Sequence, residues 1–359
     1  MRCVSTPAAA ACERIERLCA GDLTVKRLRE LVLAEIRRVI AFDAHVWLMT
    51  DPVTRVGTSP LADVPGLAWP DLPRLGRWRY LTTLNRWAEL MDAGTPVARL
   101  HERTAGDLTA SALWRESQRE LGVVDVAAIV FWDRHGCWAW LDLWRYTPAP
   151  PFTDRDARFL TQLWSPLTTG LRLAQARTFV PDQVPVPLEG PAVLVLAPDL
   201  QVRMQTSAAV ETLYRLNPPD DPIPAIPAAA YNVAAALIAV EQHVPVGPAA
   251  WSRVHLGHGR WVTLRAARIG PTGAGEGDIT VSIEASSPAE RLDVFARAHA
   301  LTTREREILE HLAHGEDTRT IAAHLVVSDH TVNDHVKAVL AKTGSTSRRT
   351  LLSRITGTT

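Results

Sequence analysis

Cysteine is scarce and unpatterned in this chain. Its four cysteines, Cys3, Cys12, Cys19 and Cys137, show no CxxC spacing and no neighbouring histidine cluster, so neither a zinc site nor a disulfide framework is expected. A reducing cytoplasm fits such usage. Net charge is missing as well: 39 basic residues balance 39 acidic ones, which argues against a chain that coats nucleic acid or anionic membrane along its whole length. Long apolar runs are lacking. The longest clean one, Val233 to Val240, falls short of the roughly 20 residues a bilayer span takes, and no membrane partner is expected. An early alanine run is cut off by Glu13 and Arg14 before it reaches the size of a secretory core. Enzymatic signatures are absent too: no GxxxxGK followed by Ser or Thr, no GxSxG, no HExxH and no DxDxDG. No catalytic residue, metal ligand or cofactor is nominated, and an enzyme is not expected. Lone histidines such as His45, His101 and His243 have no ligand-like spacing. The early strand HVWLMTDP does not fit the acidic layout of a phosphorylated receiver.

What is present is a globular composition, 47% hydrophobic and 22% charged over 359 residues, with room for two or three domains. Proline marks the joints, in PDQVPVPLEGP (181–191), in NPPDDPIPAIP (217–227) and at Ser287-Pro288. The first block, 13–180, opens with a helical stripe of Leu28, Leu31, Val32, Ile36 and Val39. A strand, HVWLMT (45–50), follows it. A hairpin is predicted from VVDVAAIVFW (123–132), a turn Asp133-Arg134-His135-Gly136, and CWAWLDLWRY (137–146). Alternation puts Trp138, Trp140, Asp142 and Trp144 on one face and Cys137, Ala139, Leu141 and Leu143 on the other. A long helix, 152–177, closes the block with Thr153 as N-cap. Through PFTDRDARFLTQLWSPL and this layout, the block resembles a GAF-type sensor domain.

The second block, 188–286, begins PAVLVLAPDLQVRMQTSAAVETLYRL, a strand, an Asp turn, a strand and a helix start. It closes with the strands GRWVTLRAARI and DITVSIEAS around a Gly-rich turn at 270–277. That layout resembles a PAS-type domain. Of twelve tryptophans, ten lie between Trp47 and Trp164. They either line a pocket for an unknown small-molecule ligand, with Trp138, Trp140 and Trp144 as candidates, or fill the core. Cys137 is either a redox sensor or an ordinary buried thiol.

The third block carries the most information. A connecting helix, 287–300, starts with a capping box of Ser287, Pro288 and Glu290; a second box pairs Thr302 with Glu305 ahead of Ile308, Leu309 and Leu312. DTRTIAAHL (317–325) is a short helix, Val326-Val327 a tight turn, and Ser328 caps DHTVNDHVKAVLAKT, where Val332, Val336, Val339 and Leu340 share a face. Gly344 ends that helix and Ser347 starts a last one. Two short helices across a tight turn, braced on both sides, make a helix-turn-helix. Between 335 and 359 stand five basic residues and no acidic one, against seven acidic and three basic from 301 to 334, a segregation that suits phosphate binding at one end.

The string LTTREREILEHLAHGEDTRTIAAHLVVSDHTVNDHVKAVLAKTGSTSRR strongly resembles the LuxR-type helix-turn-helix domain, over about 55 residues. The resemblance implies a four-helix domain, 301–356, whose third helix enters the major groove of double-stranded DNA and whose fourth commonly dimerises. It implies groove-facing roles for His330, Thr331, Asn333, Asp334 and Lys337; His335 either touches backbone phosphate or packs, and Lys342, Arg348 and Arg349 either contact phosphate or are plain surface charge. Asn333 would pair with adenine and Lys337 with guanine, each discriminating by about 1–3 kcal/mol. Asp334 either accepts from cytosine N4 or faces outward. The expected whole is a multidomain α+β regulator with GAF-like and PAS-like sensors ahead of an all-α DNA-binding domain. It would work as a homodimer, with RNA polymerase a candidate further partner. In the alternative, the N-terminal two-thirds are a protein-interaction and dimerisation scaffold without a ligand.

Overall fold

The structure is a computed structural model. It describes residues 7–180, 190–216, 226–244, 249–270 and 277–357. All but the two end residues of the Gly-rich turn expected at 270–277, and most of both proline clusters, therefore lie outside the described residues. Two antiparallel five-stranded sheets are followed by a helical region.

In the first unit, helices α1 (Pro7–Ala20) and α2 (Val25–Arg37) precede strands β1 (Ala44–Thr50) and β2 (Gly57–Asp63). Then come α3 (Leu72–Leu81), α4 (Trp87–Asp92), β3 (Val97–Arg99), α5 (Leu100–Arg103), β4 (Val123–Asp133), β5 (Gly136–Tyr146) and α6 (Asp154–Arg177). The sheet order is β2-β1-β5-β4-β3. The stripe on α2 buries Leu28, Val32 and Ile36 beside Leu163, Leu167 and Leu171 of α6 on one sheet face. Thr153 caps α6 in a reciprocal box with Asp156. The helix expected to reach Val39 stops at Arg37, and the hairpin strands each run one residue further, leaving Arg134 and His135 as the loop.

One expectation is corrected. Trp138 does not share a face with Trp140 and Trp144. Phe131 pairs with Ala139 and Trp132 with Cys137, so Trp138 is the extra residue of a β-bulge. The bulge turns its ring to the α6 side, in one core with Leu141 and Leu143, while Trp140 and Trp144 face the other way.

The second unit contains β6 (Ala192–Leu196), β7 (Val202–Gln205), α7 (Ser207–Leu216), α8 (Ala228–Glu241), β8 (Trp251–Gly257), β9 (Arg260–Ile269) and β10 (Asp278–Ala285). Its order, β7-β6-β10-β9-β8, repeats that of the first sheet position for position. Helix α8 is apolar nearly all round because it is covered on two sides, by α3 and β2 of the first unit and by β9 of its own. Gly57 permits that approach: a Cβ there would lie 2.4 Å from Leu48 Cδ2 and 3.2 Å from Asn232 Nδ2 of α8.

The two units are also joined by charge. Arg253 of β8 makes a bidentate pair with Asp51, Nε to Oδ2 at 2.7 Å and Nη2 to Oδ1 at 3.0 Å, and Nη1 donates to Asp293 Oδ2 at 2.8 Å. Asp51 is fully buried and Arg253 nearly so. Among the described residues five helices follow: α9 (Pro288–Ala298), α10 (Thr303–Ala313), α11 (Thr318–Leu325), α12 (Asp329–Thr343) and α13 (Arg348–Thr356). Both expected capping boxes form, Ser287 with Glu290 and Thr302 with Glu305.

Candidate nucleic-acid interface and ligand cavity

Helices α11 and α12 are separated by Val326, in the left-handed conformation at φ 53°, and by Val327 and the N-cap Ser328. Asp317 caps α11, Ser328 caps α12 and Ser347 caps α13, each by accepting a backbone N–H three residues on. Val332 and Val336 of α12 pack on Ile308, Leu312, Ile321 and Ala322. Val339 enters a second core with Leu309, Leu351 and Ile355. With one face so occupied, α12 presents the other to solvent.

On that outer side His330, Asp334 and Lys337 are exposed, as is Arg349 beyond it, while Thr331, Asn333, His335 and Arg348 are half-buried. Asp334 is already engaged twice, with Lys337 Nζ at 3.2 Å and His330 Nε2 at 3.3 Å. Asn333 Oδ1 accepts from Arg348 Nη2 at 3.1 Å, and the same nitrogen donates to Thr318 Oγ1 at 3.0 Å. A bidentate grip on adenine needs that Oδ1, so Asn333 must share it or release Arg348. Lys342 is exposed, and its Nζ lies 2.7 Å from Oε2 of the buried Glu305 at the start of α10. That pairing holds the Glu305 carboxyl below its usual range, against burial.

The four C-terminal helices are joined to what precedes them by hydrogen bonds, a shared core and an ion pair. Arg291 of α9 donates to the carbonyls of Ile355 at 2.6 Å, Arg354 at 2.9 Å and Gly259 at 2.8 Å, tying the end of α13 to the β8–β9 loop. Phe179, Trp261 and Phe295 share one core with Leu351 and Ile355. Asp293, held by Arg253, also accepts from Arg306 of α10 at 2.8 Å.

Away from this end, a cavity of about 960 Å³ lies on the side of β5 opposite α6 and is lined from both sheet units, among others by Arg79, Trp140, Asp142, Trp144, Tyr231 and Asn232. Arg79 and Asp142 form a buried pair at 3.0 Å, and the guanidinium also stacks over Trp140. Burial pushes the Asp142 carboxyl up to about 6, against the pull of Arg79. Trp140 Nε1, Trp144 Nε1 and Arg79 Nε have no hydrogen-bond partner among the described residues. Buried donors of this kind are costly until something accepts from them. Cys137 is buried, and its thiol is pushed up to about 11, so it stays protonated near neutral pH.

Two short helices crossing at a tight turn, the second capped, exposed along one side and braced by a helix at either flank, define a helix-turn-helix DNA-binding domain. Residues 299–354 match the GerE family model, described as bacterial regulatory proteins, luxR family. That segment is a luxR-family helix-turn-helix domain, and it makes the chain a DNA-binding transcription regulator. No curated protein matches the chain. Among solved structures, a crystal structure of Escherichia coli SdiA aligns over 97% of both chains at 12% identity, with a TM-score of 0.33. SdiA in complex with octanoyl-rac-glycerol aligns over 98% of this chain and 96% of the other at 13% identity, with a TM-score of 0.30. At those scores neither likeness bears on the fold or the ligand here. Among the described residues, no helix is long and apolar enough to cross a membrane.

Proposed function

We propose that this protein is a one-component transcription regulator, acting as a homodimer on double-stranded DNA, in which a small molecule bound in the cavity lined from both sheet units sets the placement of the helix-turn-helix domain. The carrying observation is the cavity against β5, in whose wall Trp140, Trp144 and the Arg79–Asp142 pair are buried, with Trp140 Nε1, Trp144 Nε1 and Arg79 Nε unmet among the described residues. A ligand with an apolar body and accepting oxygens suits that lining. We read residues 13–180 as a GAF-like sensor and 188–286 as a PAS-like one, which the identical strand order of the two sheets supports. The salt-bridge chain Asp51–Arg253–Asp293–Arg306 runs from the end of β1, whose Val46 and Leu48 line the cavity, to α10 of the DNA-binding domain. A ligand acts through such a link only by unequal affinity for two arrangements of the dimer. RNA polymerase remains a candidate partner at the promoter.

The test begins with selection of bound sequences from random duplex DNA at a fixed salt concentration, using the full-length protein. An inverted repeat with half-sites about one helical turn, ~34 Å, apart is expected. Small molecules are then screened for a rise in melting temperature and a change in operator affinity. A compound that does both supports the reading. A broad screen without any shift, together with a protein that binds the N-terminal units and changes operator affinity, establishes the scaffold alternative instead.

A further inference from the structure

The turn between α10 and α11 brings together three side chains that sequence spacing left apart. Helix α10 ends at Ala313; Gly315 takes φ 83°, its N–H bonds Leu312 O at 3.0 Å, and the Glu316 N–H returns to His311 O at 3.2 Å. The left-handed glycine folds Glu316 back beside His311, in the last turn of α10. His324, in the last turn of α11, faces the same point. Glu316 Oε2 lies 2.9 Å from His311 Nδ1 and 3.0 Å from His324 Nδ1, and the two rings are centred 5.4 Å apart. The three ligand atoms all fall within 4.8 Å of one another.

We propose that His311, Glu316 and His324 hold a divalent transition cation, zinc in the first instance, with water completing its coordination. Two imidazole nitrogens and one carboxylate oxygen are a borderline donor set, the kind such ions take. Metal–ligand bonds of about 2.0–2.2 Å set tetrahedral donor atoms ~3.3 Å apart, so the two Glu316–imidazole spacings need open by only a few tenths of an ångström, with the two imidazole nitrogens within 4.8 Å of each other. His324 is 55% exposed at its side chain, which leaves a solvent side for the fourth ligand. One cation there fastens α10 to α11. Ile321 and Ala322 of α11 pack on Val332 and Val336 of α12, so the fastening also fixes the seat of the groove-facing helix. The inference does not depend on the cavity or its ligand.

The experiment uses the full-length protein after removal of metal with a chelator. Zinc is titrated by calorimetry and cobalt(II) by visible absorption, on the native chain and on His324→Ala and Glu316→Gln, with circular dichroism checking the fold of each. One zinc per chain and a tetrahedral cobalt spectrum are expected. Affinity should fall at least about tenfold in either variant, as losing a direct ligand should cost no less than losing an outer-shell partner. Absence of saturable binding overturns the proposal, leaving two imidazoles that simply donate to Glu316. So does binding that survives both substitutions unchanged, which would put the ion on other side chains.

Discussion

Asp334 sits on the outer side of α12 between His330 and Lys337 and partly neutralises the one exposed lysine of that helix's middle turns. Reading a guanine edge therefore requires Lys337 to exchange a carboxylate for a base. On the proposed docking, Lys337→Ala should cut specific affinity by about 1–3 kcal/mol and relax preference at one operator position, as read by repeating the sequence selection on the variant. Unchanged preference would move the groove-facing side elsewhere on the helix. In the cavity, Trp144 is buried with its N–H unmet. Trp144→Phe keeps an aromatic ring and deletes the donor. It should weaken a compound found by thermal shift by about 1 kcal/mol, the net worth of one neutral hydrogen bond. Equal affinity in both proteins would mean the compound binds away from β5.

At the scale of elements, the turn between α11 and α12 carries a cost. Val326 is β-branched, left-handed and 89% exposed. Val326→Gly should stabilise the protein by about 1 kcal/mol in urea unfolding, because glycine occupies this region without a Cβ clash. The helices around that turn were readable from sequence because their signals are local: a side-chain oxygen three residues ahead of a bare N–H, or an apolar stripe of period 3.6. Ser287, Thr302 and Ser328 cap where they were expected to, and Ser347, read as the start of the last helix, caps it; Asp317, read as the first residue of its helix, is instead its cap. Strand faces were less readable, since one inserted residue reverses a face, and Trp138 turned on such a bulge. Strand β8 was not anticipated, although Trp251, Val254 and Leu256 mark it. Pairings across long separations left no trace. Asp51 and Arg253 stand 202 residues apart, and the engagement of Asn333 by Arg348, and of Lys342 by Glu305, follows from how helices pack.

Across the molecule, the Asp51–Arg253 pair closes the two sheet units on each other. Arg253→Met strands a buried carboxylate and should cost about 3–5 kcal/mol in stability, whereas adding Asp51→Asn should recover much of it; chemical denaturation of both variants measures the difference. A full recovery failure would mean the arginine matters mainly through Asp293. The joint above α10 gives a pH dependence. His299 packs against Phe295, ring centroids 4.3 Å apart and tilted at 48°, and burial pushes its imidazole down to about 4. It stays neutral in the fold while the unfolded chain takes up its proton near the ordinary value of about 6.5. Its contribution to stability is therefore intact at pH 7 and is lost as pH falls from there toward 4. The drop in melting temperature between neutral pH and pH 5 should be smaller in His299→Gln. An equal drop would assign that loss to other groups.

The core shared by Phe179, Trp261, Phe295, Leu351 and Ile355 has a consequence for descent. A recombination event that grafted a foreign DNA-binding domain at residue 300 would sever Arg291 from the carbonyls of Arg354 and Ile355 and leave Phe295 facing an unmatched surface. A workable breakpoint lies earlier, at Ser287, so that α9 is inherited with the helices it holds. Even then, Phe179 and Trp261 on the recipient side would have to suit the incoming face. The lineage of this protein's two ends should accordingly be more tightly coupled than a boundary drawn at the helix-turn-helix suggests.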